Sequence, residues 1–408
     1  MLQTRSSFYI ALFVVFVDYM GLALIYPLFS SMLFNSSLPL LHPETSGVMR
    51  GVVLSLLMAL MPLSQFFFAP LWGALSDNQG RRSPLILSLS LALIGYLIAL
   101  SGVFLSSLAL LLISRVVIGC AAGNIGIVQA AVADLSTPAT KTKNFGLYSM
   151  ALGLGFTLGP FLGGLLSLWS FTLPFLFATF VVILNLIFTL KFFTETHHVR
   201  TSKELKWNIG LKQLKKALIF KSSRPILLAS FFHNFGWSYF SQFSSVYLIS
   251  TFHFNPAELG YFFAAGAFYY AISSGFLIRT LIGRLKPETL FCGGMFCTAC
   301  TLFIVPCLPS SLWIWPAMFV ICYFVSFVQP TATTLISHRA PEAAQGEALG
   351  ILGSVNTIAA ALSSLLSGPF VGINAALPMW GGGAMMMIGA CVVLAAFRDK
   401  LFQLPKTI

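Results

Sequence analysis

The chain has 408 residues, of which 57% are hydrophobic and only 8% charged, and its mean hydropathy is +0.89. Soluble domains carry about 25% charged residues, so this composition excludes a soluble globular enzyme, a secreted disulfide scaffold, a disordered protein and a DNA-binding domain. The net charge of +12 would point to nucleic acid as a partner only if the basic residues formed one patch.

Twelve runs of the sequence are long and apolar enough to cross a membrane as helices, since a crossing takes about 20 residues. They lie near residues 7–33, 48–71, 84–105, 108–134, 144–168, 171–193, 225–251, 256–279, 288–308, 311–336, 346–368 and 377–397. The first run carries Asp18 and lacks a signal-peptide cleavage site, so we expect it to stay in the membrane. The sequence therefore predicts an all-α membrane protein with twelve transmembrane helices.

The basic residues concentrate in alternate links between the predicted spans. Of the 23 lysines and arginines, only Arg50 falls in a link on the opposite side, and only Arg115 falls deep within a span. This bias predicts that both termini are cytoplasmic. It also accounts for the net charge by topology, so we expect no nucleic-acid partner.

The longest link divides the chain into two predicted bundles of six helices, residues 1–193 and 225–408, joined by residues 194–224. Within this link, residues 203–220 have the pattern of a basic amphipathic helix. Two interpretations fit equally well: a helix lying in the lipid headgroup layer, or a solvated basic linker.

The seven cysteines fall in or beside the predicted spans, and their odd number argues against structural disulfides. Cys297 and Cys300 have C-x-x-C spacing. On an apolar helix without a nearby histidine, this spacing favours packing over zinc or redox chemistry. We therefore expect no metal and no cofactor.

Asp18 in the first span and Arg115 in the fourth are the two formal charges predicted deep within the membrane. A charge there costs roughly 2.5–3.5 kcal/mol on insertion scales, so each needs a reason. Both lie near mid-membrane and would pair if their helices adjoin. A buried carboxylate near a cation can exchange a proton near neutral pH, as a proton-coupled carrier requires. A purely structural ion pair is the alternative.

The seventh span repeats the first-span spacing of a polar residue and a glycine, with His233 and Gly236 in place of Asp18 and Gly21. Histidine titrates nearest neutrality, so His233 is a candidate proton carrier. A histidine hydrogen-bonded to a neighbouring helix explains the pattern equally well. We expect a substrate cavity lined by polar and aromatic residues of both halves, namely Tyr26, Asn124, Gln129, Asn234, Trp237, Gln329 and Asn356.

Residues 72–82, between the second and third spans, read WGALSDNQGRR. This segment resembles the G-x-L-x-D-x-x-G-R-R loop of the major facilitator superfamily in spacing and position. The resemblance implies a fold of two pseudo-symmetric six-helix bundles. We expect Gly73 to permit close helix approach, Gly80 to form a tight turn, and Asp77 to cap a helix start. Arg81 and Arg82 should face the anionic leaflet.

The fourth span carries Arg115 and Gly119 in a spacing similar to the superfamily's span-four arginine motif, and it ends at Asp134. The resemblance implies that Asp134 lies beside Arg81 or Arg82 in a cytoplasmic gate cluster.

Residues 155–164 of the fifth span read GFTLGPFLGG and match the pattern associated with antiporters of this superfamily. The matching positions are Gly155, Gly159, Pro160, Gly163 and Gly164. Glycines spaced by four give a smooth helix face that another backbone can approach closely, and the proline adds a bend.

The first span resembles that of twelve-span tetracycline and multidrug efflux carriers in the spacing of Asp18, Gly21 and Pro27. Two features depart from the pattern. The second-half copy of the loop, residues 275–284, lacks the aspartate. Spans eight to eleven carry no buried carboxylate, unlike tetracycline carriers, which argues against a tetracycline–metal substrate.

Together with the charge pattern, the resemblance implies a monomeric proton-coupled antiporter of a bacterial inner membrane that exports an amphipathic drug or secreted metabolite, with protons and membrane lipid as its other partners. An importer of a nutrient or siderophore on the same fold is the alternative, and a non-transporting receptor also remains open. A polytopic membrane enzyme is the remote alternative, because such enzymes need clustered carboxylates for a metal, and the acids here are scattered.

Overall fold

The computed structural model describes residues 2–34, 40–137, 140–197, 209–219, 223–277, 281, 284–340 and 345–401, which are helical with short links. In the first half the helices are α1 (Leu2–Phe34), α2 (Gly47–Gln79), α3 (Arg82–Phe104), α4 (Leu108–Ala121), α5 (Asn124–Asp134), α6 (Lys141–Ser167) and α7 (Thr172–Phe192). They are followed by α8 (Ile209–Ile219), α9 (Arg224–Phe252), α10 (Pro256–Gly275), α11 (Pro287–Ile304), α12 (Ile314–Arg339), α13 (Gln345–Ile373) and α14 (Leu377–Leu401).

Ten helical segments among the described residues are long and apolar enough to cross a membrane, with α4 and α5 together forming one of them. α9 and α10 are long enough but carry more polar and aromatic side chains. Together these segments make the twelve predicted spans, and the all-α fold class is confirmed. The predictions succeed because the length of an apolar run is fixed by the thickness of the bilayer.

The described helices pack as two compact units. The first unit comprises Met1–Glu44, Leu56–Ile209 and Phe254–Ala264; the second comprises Thr45–Ser55, Gly210–His253 and Ala265–Ile408. The sequence-based boundaries at residues 193 and 225 stay a prediction.

The core of the first unit forms between α1, α3, α5 and the helices that cover them. Aliphatic residues such as Val14, Leu85, Leu89, Ile127 and Val128 are fully buried there. The most extensive packing in this unit joins α1 to α6. The core of the second unit forms between α9, α11, α12, α13 and α14, around Phe291, Met295 and Ile336.

The link between the halves ends in a helix that packs against the second unit. Residues 203–208 and 220 of the predicted amphipathic segment lie outside the described residues, and the rest forms α8. Its apolar residues Leu214 and Ala217 join the core of the second unit. Ser354 of α13 donates a hydrogen bond to Gln213, and Lys216 pairs with Glu347. Leu214 and Ala217 of α8 therefore pack against protein, which neither sequence interpretation anticipated.

Candidate functional site

A break in the fourth span positions one of the predicted cavity residues. α4 ends at Ala121 and α5 begins at Asn124. At Gly123 a side chain has no room, because a Cβ there would lie 2.1 Å from Trp72. The indole N–H of Trp72 donates a 2.6 Å hydrogen bond to the carbonyl oxygen of Cys120, which compensates a backbone group beside the break. The break thus places Asn124 at a helix start.

Asp18 of α1 is half-buried and accepts a 2.7 Å hydrogen bond from the side-chain amide of Asn124. Asn124 is only 4% exposed and also accepts a hydrogen bond from the N–H of Ile125 through its side-chain oxygen. The carboxylate therefore lies at the N-terminal end of α5, where the helix dipole favours negative charge. Its partner is neutral, so protonation of Asp18 breaks no ion pair.

Arg115 does not pair with Asp18. Its guanidinium lies over the ring of Phe29, with Cζ 5.1 Å from the ring centroid, and no carboxylate of the described residues forms an ion pair with it. Tyr96 interacts electrostatically with both Asp18 and Arg115. The expected pair was inferred from depth alone, and the helical rise gives depth but does not fix the direction in which each side chain projects.

The loop between α2 and α3 is organised by Arg81. This arginine is 5% exposed; it donates from Nη1 to Asp77 at 2.6 Å and from Nε to Asp134 at 2.9 Å. The pairing of Asp134 with a loop arginine agrees with the predicted gate cluster. The prediction that Arg81 faces the leaflet is wrong, because two aspartates and the hydroxyl of Ser76 enclose its guanidinium.

A residue that the sequence analysis missed, Glu195, holds the same loop from the far end of the first half. Its carboxylate accepts hydrogen bonds from the backbone N–H groups of Arg81 and Arg82 at 2.7 and 3.2 Å. These groups lie at the start of α3, where backbone donors have no helical partner. Glu195 also accepts from the N–H groups of Thr196 and His197, each at 2.9 Å. It is therefore the N-terminal cap of α3.

Arg82 completes a reciprocal arrangement with the last turn of α7. Its side chain is exposed, and it donates to the carbonyl oxygens of Phe193 and Leu190 at 2.8 and 2.9 Å. A cation thus caps the C-terminal end of α7 while an anion caps the N-terminal end of α3, and both suit the helix dipoles. The pattern left no signal in the sequence, because Glu195 lies 114 residues from Arg81.

Electrostatics agree with this role for Glu195. Partial burial alone would raise the pKa of its carboxyl, but the four backbone N–H donors outweigh burial and hold the pKa below its usual value. The site therefore favours the ionised form of Glu195.

The loop between α2 and α3 differs from the sequence predictions at Gly73 and Asp77 and agrees with them at Gly80. A Cβ at Gly73 would meet no atom within 4 Å, so close helix approach does not explain that glycine. Asp77 lies in the last turn of α2 and pairs with Arg81, so the cap of α3 is Glu195 instead. Gly80 has a φ of +98°, and a Cβ there would lie 2.4 Å from Glu195. The predicted tight turn at Gly80 is therefore present.

The glycines of the fifth span lie where two backbones meet. A Cβ at Gly155, Gly159 or Gly163 would lie 2.4–2.6 Å from a backbone oxygen of α1. Gly164 faces α10 instead, within the same unit, and a Cβ there would lie 2.9 Å from the Cα of Gly260. Pro160 lies inside α6 between these contacts. The geometry agrees with the predicted close backbone approach; its connection to antiport stays a prediction.

The predicted cavity residues of the second half form a neutral polar set. The side-chain amide of Asn234 donates a 2.9 Å hydrogen bond to the side-chain oxygen of Asn356. His233 is 4% exposed, and its Nδ1 is buried without a hydrogen-bond partner among the described residues, so any hydrogen bond to a neighbouring helix is not made through Nδ1. The remaining positions differ in accessibility. Trp237, Gln329 and Tyr26 are half-buried, and Gln129 is exposed.

One ion pair occupies the ends of α11 and α12 in the second unit. Arg339, in the last turn of α12, donates from Nη2 to Glu288, in the first turn of α11, at 3.5 Å. The Arg339 guanidinium also lies over the ring of Phe397, with Cζ 4.4 Å from the centroid. Within the described part of the chain, no three acidic, histidine or cysteine residues cluster as metal ligands would.

Comparison with known proteins adds the family. A family model described as Major Facilitator Superfamily matches residues 11–364. The class E tetracycline resistance protein of Escherichia coli is 26% identical over 405 residues, covering 95% of this chain and 94% of the relative. The quinolone resistance protein NorA of Staphylococcus aureus (strain Mu50) is 24% identical over 396 residues, covering 96% of each chain.

Solved structures show the same fold. The human organic anion transporter MFSD10 matches with a TM-score of 0.72 at 20% identity, covering 96% of this chain and 99% of that one. A D-xylose–proton symporter matches with a TM-score of 0.74 at 14% identity, covering 95% and 97%. The chain is thus a multi-pass membrane transporter rather than an enzyme, and it belongs to the major facilitator superfamily.

Proposed function

We propose that this transporter is a proton-coupled antiporter that exports an amphipathic organic compound by alternating access, with Asp18 as the proton-exchanging group. The supporting observation is the environment of Asp18. It is a half-buried carboxylate within a span, and its hydrogen-bond donor is the neutral amide of Asn124. A carboxylate paired with a cation would lose an ion pair each time it was protonated. Protonation of Asp18 only weakens its hydrogen bond from the neutral amide of Asn124.

Export is supported by the names of the relatives. One is named for resistance to tetracycline and another for resistance to quinolones. A membrane carrier protects a cell by removing the compound, so these names favour export over uptake. An amphipathic substrate is supported by the small number of charges within the spans. We also propose the orientation with both termini cytoplasmic, a single working subunit, and His233 as a further coupling residue.

The proposal is tested with purified protein in proteoliposomes under an imposed pH gradient. The compounds supplied are a quinolone, tetracycline and ethidium. We expect Asp18→Asn to abolish gradient-driven accumulation, while exchange of labelled for unlabelled compound without a gradient persists. Glu44→Gln is the matched control, because it makes the same chemical change at a strongly exposed carboxylate. Accumulation by Asp18→Asn at the wild-type rate would show that Asp18 does not couple transport to protons.

A further inference from the structure

Arg115 is a buried cation with no anionic partner among the described residues. The residue is 2% exposed, and no group in the described part of the chain forms a hydrogen bond with its buried Nε or Nη2. A guanidinium in the membrane interior is costly unless an anion or several acceptors compensate it. The ring of Phe29 offsets part of this cost through a cation–π contact but supplies no acceptor.

The side chains around Arg115 do not supply the missing anion. Tyr26 of α1 and Tyr96 of α3 interact with it electrostatically. Both are neutral phenols at physiological pH. The half-buried carboxylate of Asp18 accepts its hydrogen bond from Asn124 and forms no ion pair with Arg115 among the described residues. The cation therefore remains uncompensated by the described residues of its own unit.

The free donors have a specific geometry. Nε and Nη2 lie on the same edge of the guanidinium plane, and this edge binds a carboxylate through two parallel N–H···O hydrogen bonds. Nearby, the half-buried ring of Tyr26 provides an aromatic surface. An acceptor-free edge beside aromatic rings suits an aromatic compound that carries an acidic oxygen group.

We propose that this edge of Arg115 binds the anionic oxygen acid, a carboxylate or planar enolate, of the exported compound. The inference rests on the proposed export function and narrows its substrate class from amphipathic compounds in general to amphipathic organic acids and zwitterions. Arg115 then acts as a specificity-determining residue, whereas Asp18 exchanges the proton.

The test compares two probes that differ only in the acidic group: norfloxacin, whose carboxylate is ionised at neutral pH, and its primary carboxamide. Initial rates of gradient-driven transport are measured in proteoliposomes. Because a hydrogen bond to a charged group is worth about 1.5–3 kcal/mol, we expect the wild-type protein to transport the acid about tenfold faster or more. Arg115→Gln should bring the ratio of acid to carboxamide rates close to one. Arg115→Lys should retain part of the preference for the acid, since lysine keeps the positive charge but lacks the two parallel N–H donors of the guanidinium.

Other results would contradict either the role of Arg115 or the export function, and the two cases can be distinguished. If the wild-type protein transports the acid and the carboxamide at similar rates, or if Arg115→Gln leaves the ratio of the two rates unchanged, the role of Arg115 is wrong while export itself stands. The wild-type measurement does not depend on whether a variant folds. Rates that depend on chloride rather than on the carboxylate, measured by replacing chloride with gluconate, show that the edge holds an inorganic anion and also overturn the proposal. If neither norfloxacin, tetracycline nor ethidium is transported, the export function itself is wrong.

Discussion

The two units end in ion clusters of different construction. In the first unit, Arg81 pairs with two aspartates, and Glu195 binds the backbone of the same loop. In the second unit, Arg339 has one carboxylate partner among the described residues, Glu288 at 3.5 Å, and no described group bonds to its buried Nη1. Within the described residues the first cluster is a network, whereas the second is a single pair supported by an aromatic ring.

The first cluster contains more charged residues because its acidic and basic residues lie at the helix ends that the helix dipoles disfavour. In the second unit the acid Glu288 lies at a helix start and Arg339 at a helix end, which is the arrangement that helix dipoles favour. In the first unit the order is reversed, since Arg81 precedes α3 and Asp134 ends α5. Glu195 supplies the negative charge that the start of α3 otherwise lacks. The comparison teaches that a reversed ion pair is sustained here by a third group from the link between the halves.

The largest expected effect comes from Arg81→Gln. The substitution removes the guanidinium that Asp77 and Asp134 share, so we expect a loss of about 3 kcal/mol in the free energy of unfolding. Denaturant unfolding of the detergent-purified protein measures it. The matched change Arg339→Gln removes one longer pair with a single carboxylate instead of two, so it should cost about half as much, about 1.5 kcal/mol. Equal losses in the two variants would contradict the distinction between a network and a pair.

A smaller effect is expected from Glu195→Gln, because a capping interaction is worth about 1 kcal/mol. The wild-type contribution also depends on pH. The folded-state pKa of Glu195 is lowered, so its contribution is fully present above the unfolded value of about 4.3 and is lost as the pH falls through the folded value. Unfolding measured from pH 3 to 6 should therefore show a loss in the wild type that is reduced in Glu195→Gln. Identical pH profiles would mean that the ionised carboxylate does not stabilise the loop.

The smallest effect tests the dipole argument. The double change Glu288→Arg with Arg339→Glu keeps an ion pair but reverses its order, so we expect a loss of about 0.5 kcal/mol. Each single change leaves two like charges together and should cost more. A double-mutant cycle separates the pairing energy from the effect of order. If the double variant has the same free energy of unfolding as the wild type, the placement of the charges relative to the helix dipoles does not explain the larger first cluster.

Much of the fold was predictable from the sequence. The positions of the helices follow from apolar runs and from the residues that interrupt them. The pairing of Arg81 with Asp134 and the turn at Gly80 were accessible through the resemblance of the loop, because a local motif preserves local geometry. The close approach of another backbone to α6 was predictable because glycines spaced by four permit it, whereas the identity of that helix, α1, was not.

The rest required coordinates because it depends on side-chain direction or on distant segments. The partner of Asp18 is Asn124 rather than Arg115, because the break in the fourth span places Asn124 at the start of α5, beside the carboxylate. Glu195 is far in sequence from the helix that it caps. The packing of α8 against α13 also escaped prediction, since an amphipathic pattern does not say whether lipid or protein covers its apolar face.

The reciprocal caps of α3 and α7 have a consequence for the order in which the protein is made. A chain emerges from the ribosome N-terminal end first. Arg81 and Arg82 are thus synthesised more than 100 residues before Glu195 and Phe193, the groups that complete their bonding. Until then, the start of α3 lacks its cap, and Arg82 lacks its carbonyl acceptors. The hydrogen bonds of this loop are therefore completed only after α7, the last helix of the first half, has been synthesised.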